Sequence, residues 1–291
     1  MKTDFQLFLE EEVSKVRNTG VPVKASVIER LLVRKIATKK LHPNPEDEFC
    51  FPDIGPNEGI ISTYTSTFAD HIKRNIPLFD EPLFVQKIRP SGYMILNGHH
   101  RWAAARRLGI KQVPISIVNA VFDGDIRLML EKATHERRAT LDLDEVVFAA
   151  KDDTEREKHA GLFGLGIQKK KLRLGIPALF TDLKKRGYDI WVYSSEFYSI
   201  DDIKRYFKHY SVDVDGIITG MKKRSKGSEK SRKVDELLGN RYKTTLHIDR
   251  ELLLMTKDGA SDFREDRIMS EPERWAETVI DALDGIENEE K

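Results

Sequence analysis

Two carboxylates at the end of a short apolar strand constrain this chain more than any other feature. In Ala139-Thr-Leu-Asp-Leu-Asp-Glu-Val-Val-Phe148, one residue separates Asp142 from Asp144. Side chains two apart on an extended strand point the same way, so both carboxylates can share one small space. That arrangement favours a divalent cation with oxygen ligands and phosphoryl transfer. The alternative is a strand followed by a capped helix start, because aspartate is common at N-caps.

The composition excludes several classes of protein. At 291 residues the chain is long enough for two domains, each with its own core. With 40% apolar and 33% charged residues and a net charge of +1, it is typical of a soluble globular protein and not of one that mainly wraps nucleic acid. Cys50 is the single cysteine, which excludes an intrachain disulfide. We expect a cytoplasmic protein without membrane contact, because no apolar run reaches the length of a membrane helix.

The first half contains a predicted β-hairpin. Two apolar runs of strand length, residues 81–88 and 93–96, flank the turn sequence Arg89-Pro-Ser-Gly92. The second run continues directly into Asn97-Gly-His-His-Arg-Trp-Ala-Ala-Ala-Arg-Arg-Leu-Gly109, where an early glycine and the following alanines predict a helix start and Gly109 predicts the helix end.

The start of that helix is a candidate phosphate site. A helix N-terminus favours an anion, and Gly98, His99, His100 and Arg101 stand beside it. The alternative is that the two histidines make an ordinary hydrogen-bonded cap and bind no ligand.

Three segments resemble the ParB/sulfiredoxin-like fold over residues 38–119. They are Leu96-Asn-Gly-His-His-Arg-Trp-Ala-Ala-Ala, Val113-Pro-Ile-Ser-Ile-Val118 and Lys40-Leu-His-Pro-Asn-Pro45. The resemblance implies an α+β domain whose Gly98–Arg101 segment holds nucleotide phosphates, with ATP, ADP or CTP as the expected nucleotide. Sulfiredoxin activity is not expected, since that family has a cysteine where His99 stands. The Gly-His-His-Arg version is similar to that of the nucleotide-dependent free-serine kinases of this fold.

The second half resembles the haloacid dehalogenase (HAD) superfamily of phosphatases. Asp142-Leu-Asp144-Glu-Val-Val matches its first motif, and a helix over residues 175–187 followed by the strand Tyr188-Asp-Ile-Trp-Val-Tyr193 leads to Ser194 as the second. The resemblance implies a Rossmann-like domain with a parallel sheet, in which active residues follow the carboxyl ends of strands. Residues 152–171 leave room for a minimal cap alone.

The resemblance also implies a lysine and a third acid. Lys233, at the start of a helical stretch, is the candidate lysine, with Lys230 in reserve among the basic residues 222–233. Asp249, after the strand Thr244-Thr-Leu-His-Ile, is the remaining metal ligand. The family usually has a second acid where Arg250 stands, which makes Asp249 the sole ligand from this motif.

Together these features predict a two-domain α/β protein, with a ParB/sulfiredoxin-like domain at residues 1–135 and a HAD-like domain at residues 136–291. The leading prediction is a Mg²⁺-dependent phosphomonoester hydrolase that acts on a phosphorylated small molecule or a nucleic-acid end. In this interpretation Asp142 is the nucleophile and Asp144 the acid and base. Ser194 and Lys233 hold the phosphoryl oxygens, and Asp142, Asp144 and Asp249 hold the metal ion.

Two alternatives remain. The first is a nucleotide-dependent kinase or nucleotide hydrolase centred on Gly98-His-His-Arg101. The second is a non-catalytic, DNA-associated regulatory module in which both sites only sense ligands.

Overall fold

Hydrogen bonding sorts the strands into two separate sheets, one in each of two compact units, residues 1–119 and 120–291. The computed structural model describes residues 3–150, 153, 155–158, 166–220, 229–257 and 262–288. The protein is thus a mixed α/β protein with two sheets. The boundary expected at 135/136 lies inside the second unit, because a helix at Asp123–Glu131 packs Ile126 and Met129 into that unit's core.

The first unit is built from four helices around a mixed sheet. The helices are α1 (Asp4–Thr19), α2 (Val27–Leu32), α3 (Glu58–Arg74) and α4 (His99–Arg107). The strands are β1 (Val21–Pro22), β2 (Lys35–Ala37), β3 (Leu41–His42), β4 (Leu83–Arg89), β5 (Tyr93–Asn97) and β6 (Gln112–Ile117). The sheet order is β2-β6-β4-β5-β3, with β1 beside β4.

The predicted hairpin and the helix after it are confirmed. Strands β4 and β5 pair antiparallel, with Lys87 opposite Tyr93, and β5 leads through Gly98 into α4. Helix α4 packs against α3, and Trp102 and the three alanines that follow it are all buried. This packing fixes the position of the helix N-terminus, since a larger side chain at any of the three alanines would push the neighbouring elements apart.

The second unit has five helices and its own sheet among the residues described. The helices are α5 (Asp123–Glu131), α6 (Ile176–Lys185), α7 (Ile200–His209), α8 (Glu229–Gly239) and α9 (Trp275–Asn288). The strands are β7 (Arg137–Asp142), β8 (Tyr188–Tyr193), β9 (Gly216–Ile218), β10 (Thr244–Ile248), β11 (Leu252–Lys257) and β12 (Asp262–Arg267).

The second sheet has the order β12-β11-β10-β7-β8-β9. Strands β10, β7, β8 and β9 run parallel, whereas β11 and β12 add to the β10 edge antiparallel. In the register of β7 and β8, Asp142 lies opposite Tyr193. The residues that follow these two strands therefore meet at one edge of the sheet.

The described helices include none that is both long and apolar enough to cross a membrane.

Candidate functional site

Gly98 joins β5 to α4 through a backbone conformation that other residues rarely adopt. Its φ is +103°, and a Cβ added there would lie 2.4 Å from Leu83 Cδ2 and 3.1 Å from a guanidinium nitrogen of Arg101. The first intrahelical hydrogen bond runs from the Trp102 N–H to the Gly98 carbonyl, at 2.9 Å. The amides of the first turn face the end of the helix, where the dipole favours an anion. Glycine here allows a ligand to approach the backbone.

His99 is held almost completely inside the first unit. It is 4% exposed, and its Nε2 accepts a hydrogen bond from the Asn44 backbone N–H at 3.1 Å. Because Nε2 accepts, the proton of the neutral ring lies on Nδ1, which is 3.6 Å from Asp47 Oδ2. The ring also stacks on Phe49, with 5.3 Å between centroids. His99 therefore attaches the loop 44–50 to the start of α4.

His100 makes a similar attachment to a different segment. Its Nε2 accepts a hydrogen bond from the backbone N–H of Asn57, the N-cap residue of α3, at 3.2 Å. Its ring meets Phe49 edge to face, with centroids 5.0 Å apart. Both histidines thus organise the loop that precedes α3. These hydrogen bonds agree with the alternative given for the two histidines, an ordinary structural role.

Arg101 supplies the positive charge at the helix start. One of its terminal nitrogens donates to the Glu81 carbonyl oxygen at 2.8 Å and lies 3.9 Å from the Glu81 carboxylate. The side chain is 12% exposed. A guanidinium has five N–H donors, so this anchoring leaves others for a phosphate. All four predicted residues, Gly98 to Arg101, are brought together by the first turn and a half of one helix.

Asp47 is a candidate functional residue that the sequence did not single out. It caps the short turn Glu48–Cys50 through a hydrogen bond from the Phe49 N–H, and its other carboxylate oxygen lies close to His99. The sequence signal is the run of acidic residues after Lys40-Leu-His-Pro-Asn-Pro45, which is also typical of a polar surface loop. The contact between Asp47 and His99, 52 positions further along the chain, places this carboxylate beside the start of α4.

In the second unit, Asp142 is the N-cap of a single π-helical turn, Leu143–Val147. One oxygen of its carboxylate accepts hydrogen bonds from the N–H groups of Asp144 and Glu145, at 2.8 and 3.0 Å. The capped start considered as the alternative for this segment is confirmed. Burial raises the pKa of Asp142 above its ordinary value, and the two backbone hydrogen bonds oppose that rise.

The carboxylate of Asp144 is surrounded by hydroxyl donors. Ser194 donates to Oδ2 at 2.5 Å, and Tyr198 donates to Oδ1 at 2.6 Å. Lys170 Nζ lies 3.9 Å from Oδ1. Burial and the bond to Asp144 raise the pKa of Tyr198 well above its ordinary range. The structure brings Asp142, Asp144 and Ser194 together as predicted, and it adds Tyr198, which no sequence pattern marked.

Asp249 follows β10, and the parallel register of β10 and β7, with Ile248 opposite Leu141, places it at the same edge of the sheet as Asp142. Its carboxylate accepts a hydrogen bond from the Arg250 N–H at 2.7 Å. In the part of the chain that is described, which includes all three predicted ligands, no group of three or more His, Cys, Asp or Glu side chains is placed to hold a metal ion. The backbones of Lys230 and Lys233 lie in α8, but their side chains are outside the described residues.

Comparison with known proteins finds a family match for one segment of the chain. Residues 69–133 match the family model described as the ParB N-terminal domain. The match begins in α3 and includes the β4–β5 hairpin, the Gly98–Arg101 segment and β6. The expectation of a ParB-like domain is confirmed for this segment. A fused HAD domain is not shown by the comparisons.

Two curated relatives carry the name of a kinase. The ATP-dependent L-serine kinase of Staphylothermus marinus is 32% identical over 106 residues, which are 36% of this chain and 40% of that protein. The ADP-dependent L-serine kinase SerK of Thermococcus kodakarensis is 27% identical over 105 residues, 35% of this chain and 40% of that protein. The chain thus spans about two fifths of the length of the curated relatives it matches.

Solved structures of ParB from Caulobacter crescentus are also similar in part. One, complexed with CTP-gamma-S, is 23% identical, with 34% of this chain and 58% of that chain covered at a TM-score of 0.25. Another, complexed to the centromeric parS site, is 23% identical, with 35% and 50% covered at a TM-score of 0.22. Likeness at this level carries no argument about the present chain.

These findings correct the functional prediction. The leading prediction of a phosphomonoester hydrolase is wrong, because both named relatives are kinases, which transfer a phosphoryl group from a nucleotide. They favour the alternative, a nucleotide-dependent kinase centred on Gly98–Arg101. The hydrolase prediction rests on a set of motifs in the second unit that are individually weak. The Gly98–Arg101 motif of the first unit is more specific.

Proposed function

We propose that this chain is a nucleotide-dependent kinase whose nucleotide phosphates bind at the N-terminus of α4. The observation that carries the proposal is the match of just over 100 residues to two kinases that share one acceptor, L-serine. The geometry supports it, because Gly98 opens the helix start to a ligand and Arg101 places a cation beside it. L-Serine is accordingly the first acceptor to test.

Phosphoryl transfer depends mainly on positioning and charge neutralisation. In the proposed reaction the acceptor hydroxyl oxygen attacks the terminal phosphorus of the nucleotide. The bond to the leaving nucleotide oxygen breaks, and the hydroxyl proton passes to a carboxylate. Asp47 is the candidate proton acceptor, because its carboxylate lies 3.6 Å from His99 at the start of α4. Arg101 neutralises charge on the phosphates.

Mg²⁺ belongs to this proposal as the companion of the nucleotide. It would be held chiefly by the phosphates and by water and would neutralise phosphate charge. The phosphate donor is left to experiment, since the two relatives are named for ATP and for ADP.

The test is phosphorylation of L-serine by the full chain with Mg²⁺ and, separately, ATP, ADP or CTP. Asp47→Asn should lower kcat by roughly 10² to 10⁴-fold, as expected for loss of a general base, with little change in nucleotide affinity. Glu48→Gln is the matched control, because Glu48 is adjacent and exposed. Failure of all three nucleotides to phosphorylate L-serine would reject the proposed reaction.

For the second unit we propose a HAD-like fold, and we make no proposal about its activity. The support is the parallel order β10-β7-β8-β9, with Asp142 and Ser194 at the carboxyl ends of adjacent strands. The domain ranges 1–135 and 136–291 are part of this proposal. An experimental structure of the full chain would test it, and a fold of the second unit unlike the HAD superfamily would contradict it.

A further inference from the structure

A basic cavity lies within the first unit, away from the proposed nucleotide site. Its volume is about 550 Å³, within the range of small-molecule pockets. Five of its lining residues are cationic: Lys24, Lys39, Lys40, Lys87 and Arg89. The lining contains one carboxylate, Glu29. Such an excess of positive charge in a concave surface attracts an anion.

The single carboxylate is already neutralised. Lys87 Nζ lies 2.7 Å from one oxygen of Glu29, and the Tyr93 hydroxyl donates to the other at 2.9 Å. These contacts use Lys87 internally. Among the described residues, the side chains of Lys39, Lys40 and Arg89 have no ion-pair partner. Like charges that line one cavity repel one another, and an anion between them relieves that repulsion.

The fold itself holds these cations at one opening. Gly92 ends the turn between β4 and β5, and a Cβ there would lie 2.6 Å from the Lys40 carbonyl oxygen and 2.7 Å from His42 Nε2. The turn that carries Arg89 therefore packs directly on the segment that carries Lys39 and Lys40. Three cations from two distant parts of the sequence therefore line one cavity.

The cavity is separate from the helix start. Tyr93 lines the cavity at the beginning of β5, whereas Gly98 follows its end. Five residues of extended strand separate their Cα atoms by roughly 17 Å. A phosphate in the cavity therefore does not touch the first turn of α4.

We propose that this cavity binds a small molecule carrying two or more phosphate groups, at a site distinct from that of the nucleotide phosphates. Several positive charges in a pocket of this size suit adjoining phosphates better than a single carboxylate. The proposal goes beyond the kinase reaction and does not depend on it.

Inorganic pyrophosphate is the probe, titrated calorimetrically into the full chain without metal. All measurements use Arg101→Ala as the background, so that binding at the helix start does not contribute. In that background we expect one pyrophosphate site. Adding Arg89→Ala, or Lys39→Ala with Lys40→Ala, should weaken binding at least about tenfold, since each contact to the anion is charge-assisted.

Lys73→Ala is the matched control, an exposed lysine on α3 outside the cavity, and it should leave the affinity within about twofold. Each of three results would overturn the proposal. These are no pyrophosphate binding in the Arg101→Ala background, binding unchanged by the Lys39/Lys40 pair of substitutions, or an equal loss in the Lys73→Ala control. Circular dichroism checks that the variants keep their fold, which we expect because the substituted side chains other than that of Arg101 are exposed.

Discussion

The Nε2 atom of His99 accepts a hydrogen bond from the backbone N–H of Asn44, and this bond attaches the acidic loop to the start of α4. Asp47, the candidate proton acceptor, therefore depends on His99 for its position beside the helix. His99, a candidate phosphate-binding residue on the sequence, thus supports the residues around the site.

Replacement of His99 should cost stability. His99→Ala removes a buried ring and leaves the Asn44 N–H without its acceptor, so we expect a loss of about 2 to 4 kcal/mol in the free energy of unfolding. His100→Ala should cost less, because that ring is only partly buried. Urea unfolding of the two variants measures the difference. Equal midpoints for wild type and His99→Ala would show that the contact does not stabilise the loop.

Replacement of Gly98 should be more damaging than replacement of another glycine with positive φ. Gly98→Ala places a methyl group 2.4 Å from Leu83 Cδ2 in a backbone conformation that disfavours alanine. We expect a loss of about 2 kcal/mol or more. Gly109→Ala has the same conformational cost, about 1 kcal/mol, but its Cβ meets nothing within 4 Å. Thermal unfolding compares the two, and equal losses would mean that the Leu83 contact relaxes freely.

Nucleotide affinity should depend on Arg101. Arg101→Ala removes a charge-assisted contact to phosphate, and we expect affinity to fall by about 10- to 100-fold. Arg101→Lys should be intermediate, since lysine keeps the charge but loses the fork of donors. Arg107→Ala is the control, because Arg107 lies at the other end of α4 and pairs with Glu58. Calorimetric titration with ATP, ADP and CTP checks this, and undiminished binding by Arg101→Ala would place the phosphates elsewhere.

Asp142 should make stability depend on pH. Its pKa is raised in the folded protein, so its contribution favours folding at low pH and is lost as pH rises through the folded-state pKa. Asp142→Asn, which can still accept the two backbone hydrogen bonds, should therefore be more stable than wild type at pH 7. The difference should shrink toward pH 3. Asp213→Asn, an exposed change in the same unit, should show no such trend.

A stability difference for Asp142→Asn that grows as pH falls would contradict the direction given for this pKa. Chemical denaturation at several pH values supplies the measurement.

The sequence predicted those features that neighbouring residues specify. The hairpin followed from two apolar runs around Arg89-Pro-Ser-Gly92, and the helix start from Gly98 and the alanines after it. The alternation of apolar and polar residues and the preferences of turn residues act over a few positions. The sequence therefore predicted the hairpin and the helix start correctly. The parallel pairing of β7 and β8 agrees with the parallel sheet that the resemblance of the second half implied.

The sequence did not predict contacts between residues far apart along the chain. Tyr198 donates to Asp144 across 54 positions, and Asn44 reaches His99 across 55. The basic cavity likewise joins residues of α2, the segment before β3 and the β4–β5 turn. The pattern of neighbouring residues in the sequence gives no information about such distant partners.

The sequence by itself determined the β4–β5 hairpin, the start of α4 and which segment resembles a ParB-like domain. Tertiary structure alone decided that both histidines support a loop, that Asp47 stands at the helix start, and that lysines from separate segments surround one cavity. The reason is physical: backbone preferences act between neighbours, whereas these sites form only when packing closes long loops and brings distant side chains within a few ångströms.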